Sequence, residues 1–139
     1  MLPKSMNAIA ITAAGGPEVL RQEQRPVPSP EAGQVLIKVA YAGINRHDCG
    51  QRTRGTPPPG ATDIPGLEVA GEVVAVGAGV TRWKVGDRVC ALTNGGGYAQ
   101  YCVAYEAVTF PVPPGFDLKQ AASLPETLMT TWFNVFVLC

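Results

Sequence analysis

Chemistry-bearing residues cluster first at Asn45-Arg46-His47-Asp48-Cys49, where an amide, a cation, an imidazole, a carboxylate and a thiol follow one another. A Cys-His nucleophilic pair is not among their possibilities, because neighbours on a helix point about 100° apart and do not face each other. His47 is the only histidine, and without partners at ligand spacing it reads as solvent-facing or structural. Cysteines 49, 90, 102 and 139 include no Cys-x-x-Cys pair. A thiolate zinc site needs four ligands converging on one ion, so these read as buried, reduced thiols. Gly77-Ala78-Gly79 opens like a dinucleotide fingerprint, but Arg82 stands where the last glycine belongs and a strand follows in place of a helix. No helix N-terminus would then be aimed at a pyrophosphate, and a turn is the reading. Gly95-Gly96-Gly97 lies between two strand candidates and reads as a hairpin turn. Gly-x-x-x-x-Gly-Lys, Gly-x-Ser-x-Gly and His-Glu-x-x-His are all absent, which removes the usual anchors of phosphoryl transfer, serine hydrolysis and zinc proteolysis.

The elements that must position these groups are mostly strands. Met6 to Ala13 and Val19 to Arg25 open the chain as strands around the turn Gly15-Gly16-Pro17. Pro26, Pro28 and Pro30 then stiffen a linker that cannot donate to a ladder. Gln34 to Ile44 is an apolar, β-branched run of strand length and should be central. From Asn45 to Arg52 the sequence turns polar without alternation, and Asn45 is suited to cap a short helix. Residues 53–65 hold four prolines and form a stiff surface loop. Leu67 to Val76, Arg88 to Thr93, Tyr98 to Ala104 and Ala107 to Phe110 follow as short strands between glycine-containing turns. Such punctuation predicts a barrel or sandwich. Asp117 can cap a helix over Leu118 to Leu124, and Pro125 can begin another that runs on through Trp132, Phe133, Phe136 and Leu138. So much apolar surface at a chain end is expected of the leading part of a longer protein.

A chain of 139 residues can bury roughly two-thirds of its extended surface, enough for one core. Eleven Lys and Arg balance eleven Asp and Glu, so no net charge is available to hold a phosphate backbone or an anionic bilayer. Nucleic-acid and membrane partners are not expected. No apolar run approaches the roughly 18 residues needed to cross a bilayer, and a cytoplasmic location is expected.

Gly43-Ile44-Asn45-x-x-Asp48, Pro57-Pro58-Pro59-Gly60, Gly66-Leu67-Glu68-x-Ala70-Gly71, Gly86-Asp87-x-Val89 and Gly96-Gly97-Tyr98-Ala99-Gln100-Tyr101 run in order through most of the chain. In that order and spacing they resemble the zinc-independent quinone oxidoreductases of the zeta-crystallin-like group, within the medium-chain dehydrogenase/reductase superfamily. The resemblance implies a mainly β fold, a GroES-like partly open barrel with short helices over residues 1–116. Residues 117–139 would be a helical connection at the edge of a Rossmann domain that this sequence does not contain.

The zinc enzymes of that superfamily carry a histidine ligand where Leu67 stands and a cysteine ligand where Asn45 stands, and their four-cysteine lobe is replaced here by Gly95-Gly96-Gly97. No metal is therefore expected. The resemblance implies hydride transfer from NADPH, with NADH as the other possibility, to a small quinone or enone, in a homodimer assembled through the absent domain. An enoyl or alkenal reductase on the same framework and a non-enzymatic GroES-like binding module are the alternatives. By the same resemblance Asn45 and Asp48 are the catalytic candidates, with Asn45, Arg46 and Thr130 binding cofactor. Read locally, Asn45 is a helix cap and Thr130 a back-bonded helix residue. Relatives often place a tyrosine before the prolines, whereas this loop reads Arg52-Thr53-Arg54-Gly55-Thr56. Tyr41, within a strand, reads as core packing.

Overall fold

The structure is a computed structural model and describes residues 1–138. Strand β1 (Ser5–Ile11) pairs antiparallel with β2 (Leu20–Pro26), with Ser5 opposite Pro26 at one end and Ile11 opposite Leu20 at the other. A second, five-stranded antiparallel sheet holds β3 (Gln34–Ala42), β4 (Glu68–Val76), β5 (Arg88–Leu92), β6 (Tyr101–Tyr105) and β7 (Thr109–Pro111) in the order β6-β3-β4-β5-β7. Strand β3, expected to be central, is interior, paired on both sides, with β4 in the middle of the five. Two register shifts between β3 and β4, at Leu36/Ile37 and Val39/Tyr41, add local twist and help the sheet curl into a half-barrel.

Side chains alternate across a strand, so β4 and β5 each serve two cores. Val69 and Val73 with Val89 and Ala91 face one way, where Val35, Ile37 and Ala104 complete a fully buried cluster. Ala70 and Cys90 face the other way and pack against Ala121 and Ala122. These alanines close α2 (Leu118–Ala121), Ala121 as its last residue and Ala122 as its C-cap, and its N-cap is Asp117, whose Oδ1 accepts from the Gln120 N–H at 2.7 Å. Glu68 shares strand parity with Ala70, which turns it toward the helical side of the sheet. That parity is what brings it to the site.

Helix α1 (Arg46–Arg54) is polar all round and has no apolar stripe to bury. Hydrogen bonds hold it in place. Asp48 and Gln51 are its buried residues, and the Arg52 guanidinium donates to the Gly15 carbonyl. Gly55, at φ 74°, closes it with its N–H on the Gln51 carbonyl at 2.9 Å.

Three sequence expectations need correction. Gly95-Gly96-Gly97 is not a hairpin turn, because β5 pairs with β4 and β7 while β6 pairs with β3. The glycines instead carry the chain from one side of the half-barrel to the other, with Gly96 donating to Ile64 and Gly97 to Gly66. Strand β6 starts at Tyr101, three residues later than Tyr98; before it, Ala99 makes only an isolated bridge to Ala8. The segment read as a strand from Ala107 opens with a 3-10 turn, Glu106–Val108, so β7 is confined to three residues. Near the end, α3 (Pro125–Trp132) passes into a π-helical turn, Phe133–Val137, whose apolar side chains are exposed. Cys139 lies outside the described residues.

Candidate active site

Asn45 sits at the N-terminus of α1, where its carbonyl accepts from the Asp48 N–H at 3.1 Å and its own N–H donates to Asp48 Oδ2 at 2.9 Å. The asparagine and aspartate types fit their places because the first N–H groups of a helix have no internal acceptor. Asp48 does more than cap. Its Oδ1 accepts from the Gly66 N–H at 3.0 Å, and its Oδ2 also accepts from the Tyr98 hydroxyl at 2.8 Å. The residue is 5% exposed, so one buried carboxylate joins the start of α1, the turn before β4 and the approach to β6. Burial, with the Asp48 bond second, raises the Tyr98 phenol well above its ordinary range and keeps it protonated.

A second buried carboxylate, Glu68, stands at the start of β4 and is 3% exposed. Its Oε1 accepts from Asn45 Nδ2 at 3.0 Å, and its Oε2 from the Glu126 N–H at 3.0 Å. Pro125 occupies the first position of α3 and has no N–H, so Glu126 supplies the first donor at that helix end. Among the described residues no cation pairs with Asp48 or Glu68. Each carboxylate is instead stabilised by donors at a helix N-terminus, where the backbone dipole favours negative charge.

Thr130 is exposed on α3, and its hydroxyl donates to Glu126 Oε1 at 3.0 Å rather than back to a main-chain carbonyl. A hydrogen-bonded series therefore runs Asn45, Glu68, Glu126, Thr130, joining two of the residues singled out in the sequence. Arg46 is exposed beside Asn45. Leu67, half-buried, contributes only its carbonyl, which accepts from the Thr93 N–H at 2.6 Å. Among the described residues no three His, Cys, Asp or Glu side chains group as metal ligands. Tyr41, expected in the core, is 48% exposed.

Sequence reasoning missed Glu68, Glu126 and Tyr98 as connectors. The spacing Glu126-x-x-x-Thr130 was a usable signal, since residues four apart share a helix face. It also missed a cavity of about 650 Å³ on another part of the barrel, lined among others by Met6, Ile64, Thr93, Tyr101 and Cys102. The proline-rich loop lines one side of it, tied by Arg25 to Asp63 at 2.7 Å and by Asn94 Nδ2 to the Gly60 carbonyl at 3.1 Å.

Burial pushes the Cys102 thiol up to about 12, with a Thr93 contact pulling weakly the other way. The folded state thus favours the neutral thiol. Its contribution is complete below the 9.0 of an unburied thiol and is lost as the pH climbs from there toward about 12. Iodoacetamide at pH 8 followed by peptide mapping should label exposed Cys49 and leave Cys102 unmodified until the protein unfolds. Equal labelling of the two would contradict the burial.

Residues 31–114 match the family of alcohol dehydrogenase GroES-like domains, and the chain belongs to that family. Among curated proteins, the quinone oxidoreductase of Rattus norvegicus is 42% identical over 125 residues, covering 87% of this chain and 38% of that protein. A trans-enoyl reductase of Fusarium mangiferae is 36% identical over 121 residues, covering 86% of this chain and 31% of that protein. Among solved structures, a mycobacterial protein in complex with NADPH superposes with a TM-score of 0.82 at 38% identity, covering 96% of this chain and 42% of that one. The chain thus spans less than half the length of these relatives. Among the described residues no helix is long and apolar enough to cross a membrane.

Proposed function

We propose that this chain is the acceptor-side part of a cytoplasmic oxidoreductase that moves hydride from NADPH to a quinone or activated alkene without zinc. The observation that carries the proposal is the series Asn45, Glu68, Glu126, Thr130, in which the buried Glu68 carboxylate holds the Asn45 amide and the Glu126 N–H, and the Glu126 side chain in turn accepts the Thr130 hydroxyl. Polar groups of these types, half-buried and exposed in front of a fixed acceptor, suit the carboxamide of a nicotinamide ring. Asn45 and Thr130 would hold that ring, and Arg46 would approach the cofactor phosphates. The cofactor supplies the hydride when bound.

Asp48 has both oxygens engaged by three donors and would act by fixing the start of α1. The donor set does not suit zinc. Leu67 has no ligand atom in its side chain, and the Asn45 amide is turned toward Glu68. An acceptor conjugated like a quinone is electrophilic enough to take hydride without a Lewis acid. The 42% identity to a protein named quinone oxidoreductase supports this acceptor class, and the likeness to the trans-enoyl reductase supports an enoyl or alkenal substrate as the second reading. A purely structural GroES-like module would not need the Asn45 to Thr130 series.

The reading places residues 1–116 in the substrate-side domain and 117–139 in a connection to a nucleotide-binding domain, through which the protein would form homodimers. The test joins this chain to that domain and measures turnover of 1,4-benzoquinone and 9,10-phenanthrenequinone with NADPH and with NADH, before and after exhaustive chelation. The expected result is an NADPH-dependent rate that chelation leaves unchanged, with no turnover from the 139-residue chain alone. A rate that vanishes with the metal and returns with stoichiometric zinc would overturn the proposal.

A further inference from the structure

We propose that Glu68 is a positioning residue of the nicotinamide site: its carboxylate sets which end of the Asn45 amide faces the cofactor and locks that amide to the helix carrying Thr130. The inference rests on the functional reading above. It uses contacts that neither a motif nor a relative's name assigns.

The carboxylate is held in a slot. Gly43 lies against it, and a Cβ at position 43 would come within 2.2 Å of Glu68 Oε1 and 2.6 Å of its carboxyl carbon. The Gly43 N–H also donates to the Glu68 carbonyl at 3.1 Å. Main chain and side chain of Glu68 are thus both fixed to the end of β3. An ionised carboxylate only accepts, so the Asn45 end at 3.0 Å from it must be the NH₂. Oδ1 is consequently turned away from Glu68. An asparagine with no such partner could rotate its amide by half a turn and offer a donor where an acceptor is wanted.

Glu68 Oε2 does the equivalent for α3. It fixes the Glu126 N–H, and the Glu126 side chain, one turn from Thr130, accepts the threonine hydroxyl. Two helices distant in sequence are therefore referenced to one residue of a rigid central strand. Errors of about 1 Å at a hydride-transfer site cost on the order of a hundredfold in rate, so this common reference matters.

The test compares Glu68→Gln, Asn45→Ala and the double variant in the full-length oxidoreductase, with melting temperature measured alongside. The glutamine keeps size and shape but leaves one of the two donors facing an NH₂. Glu68→Gln is expected to lower kcat about tenfold or more with the KM of the quinone little changed. The double variant should lose less than the product of the two single losses, because part of what Glu68 does passes through Asn45. An unchanged rate in Glu68→Gln, or losses that simply multiply in the double variant, would overturn the inference.

A second measurement does not depend on turnover. In the wild-type protein the Glu126 amide should exchange its hydrogen at least about tenfold more slowly than an unbonded first-turn amide. Glu68→Leu, which offers no acceptor to either donor, should remove that protection without affecting the later amides of α3. An unprotected Glu126 amide in the wild type would sink the inference whether or not the variant folds. Absence of NADPH oxidation by the wild type, with Glu126 protected, would count against the functional reading and not against the clamp.

Discussion

Asp48→Ala should destabilise the fold by about 4 kcal/mol, read from urea denaturation. Bonds to a charged acceptor contribute about 1.5–3 kcal/mol each, and a buried donor left without a partner costs about 1–3 kcal/mol. Three donors lose their acceptor at once: the Asn45 N–H, the Gly66 N–H and the Tyr98 hydroxyl. Removing a buried charge returns part of this, which keeps the total below the simple sum. Asp48→Asn, which retains one oxygen, should lose about half as much. A loss under about 1 kcal/mol in Asp48→Ala would mean that the carboxylate is not the junction it forms in this structure.

Gly66→Ala should be at least as damaging, with a loss of more than about 3 kcal/mol or no cooperative unfolding transition. Gly66 has φ +103°, and an added Cβ would lie 2.7 Å from the Tyr98 nitrogen and 2.8 Å from the Gly97 Cα. Both obstacles are main chain, so no rotamer change relieves them. The substitution would also shift the N–H that Asp48 accepts, and the losses from Gly66→Ala and Asp48→Ala should overlap rather than add. Gly79→Ala is the control. Gly79 has φ +78° with nothing within 4 Å of where a Cβ would lie, and only the backbone cost of about 1–2 kcal/mol should appear. Similar losses at positions 66 and 79 would refute the steric argument.

The contrast between what could and could not be read from the sequence follows the range of the interactions. Strands β3 and β4 were legible because apolar, β-branched runs of strand length state their burial locally. The start of α1 was legible because an asparagine cap and an acidic residue three positions later concern one turn of chain. The pairing of β5 was not, since three glycines permit a turn without naming the strand on its far side, and β7 decides the matter from the other edge. The site divides the same way. Asn45 and Thr130 were reached through motif order, while their link was hidden in contacts 23 and 58 residues apart. Asp48 to Tyr98 spans 50 residues. No composition or periodicity encodes such partners; only the curl of the sheet brings them together.

The bond between Glu68 and α3 ends on a main-chain N–H, and that gives the join an uneven tolerance to mutational drift. Any residue other than proline at position 126 would still present the N–H, so the first turn of α3 can change composition while its anchorage persists. Position 68 has no such latitude. Aspartate is one methylene too short to span both donors, and an apolar side chain would strand two of them in a dry interior. Lineages of this domain can therefore vary the first turn of α3 while the strand that anchors it stays fixed.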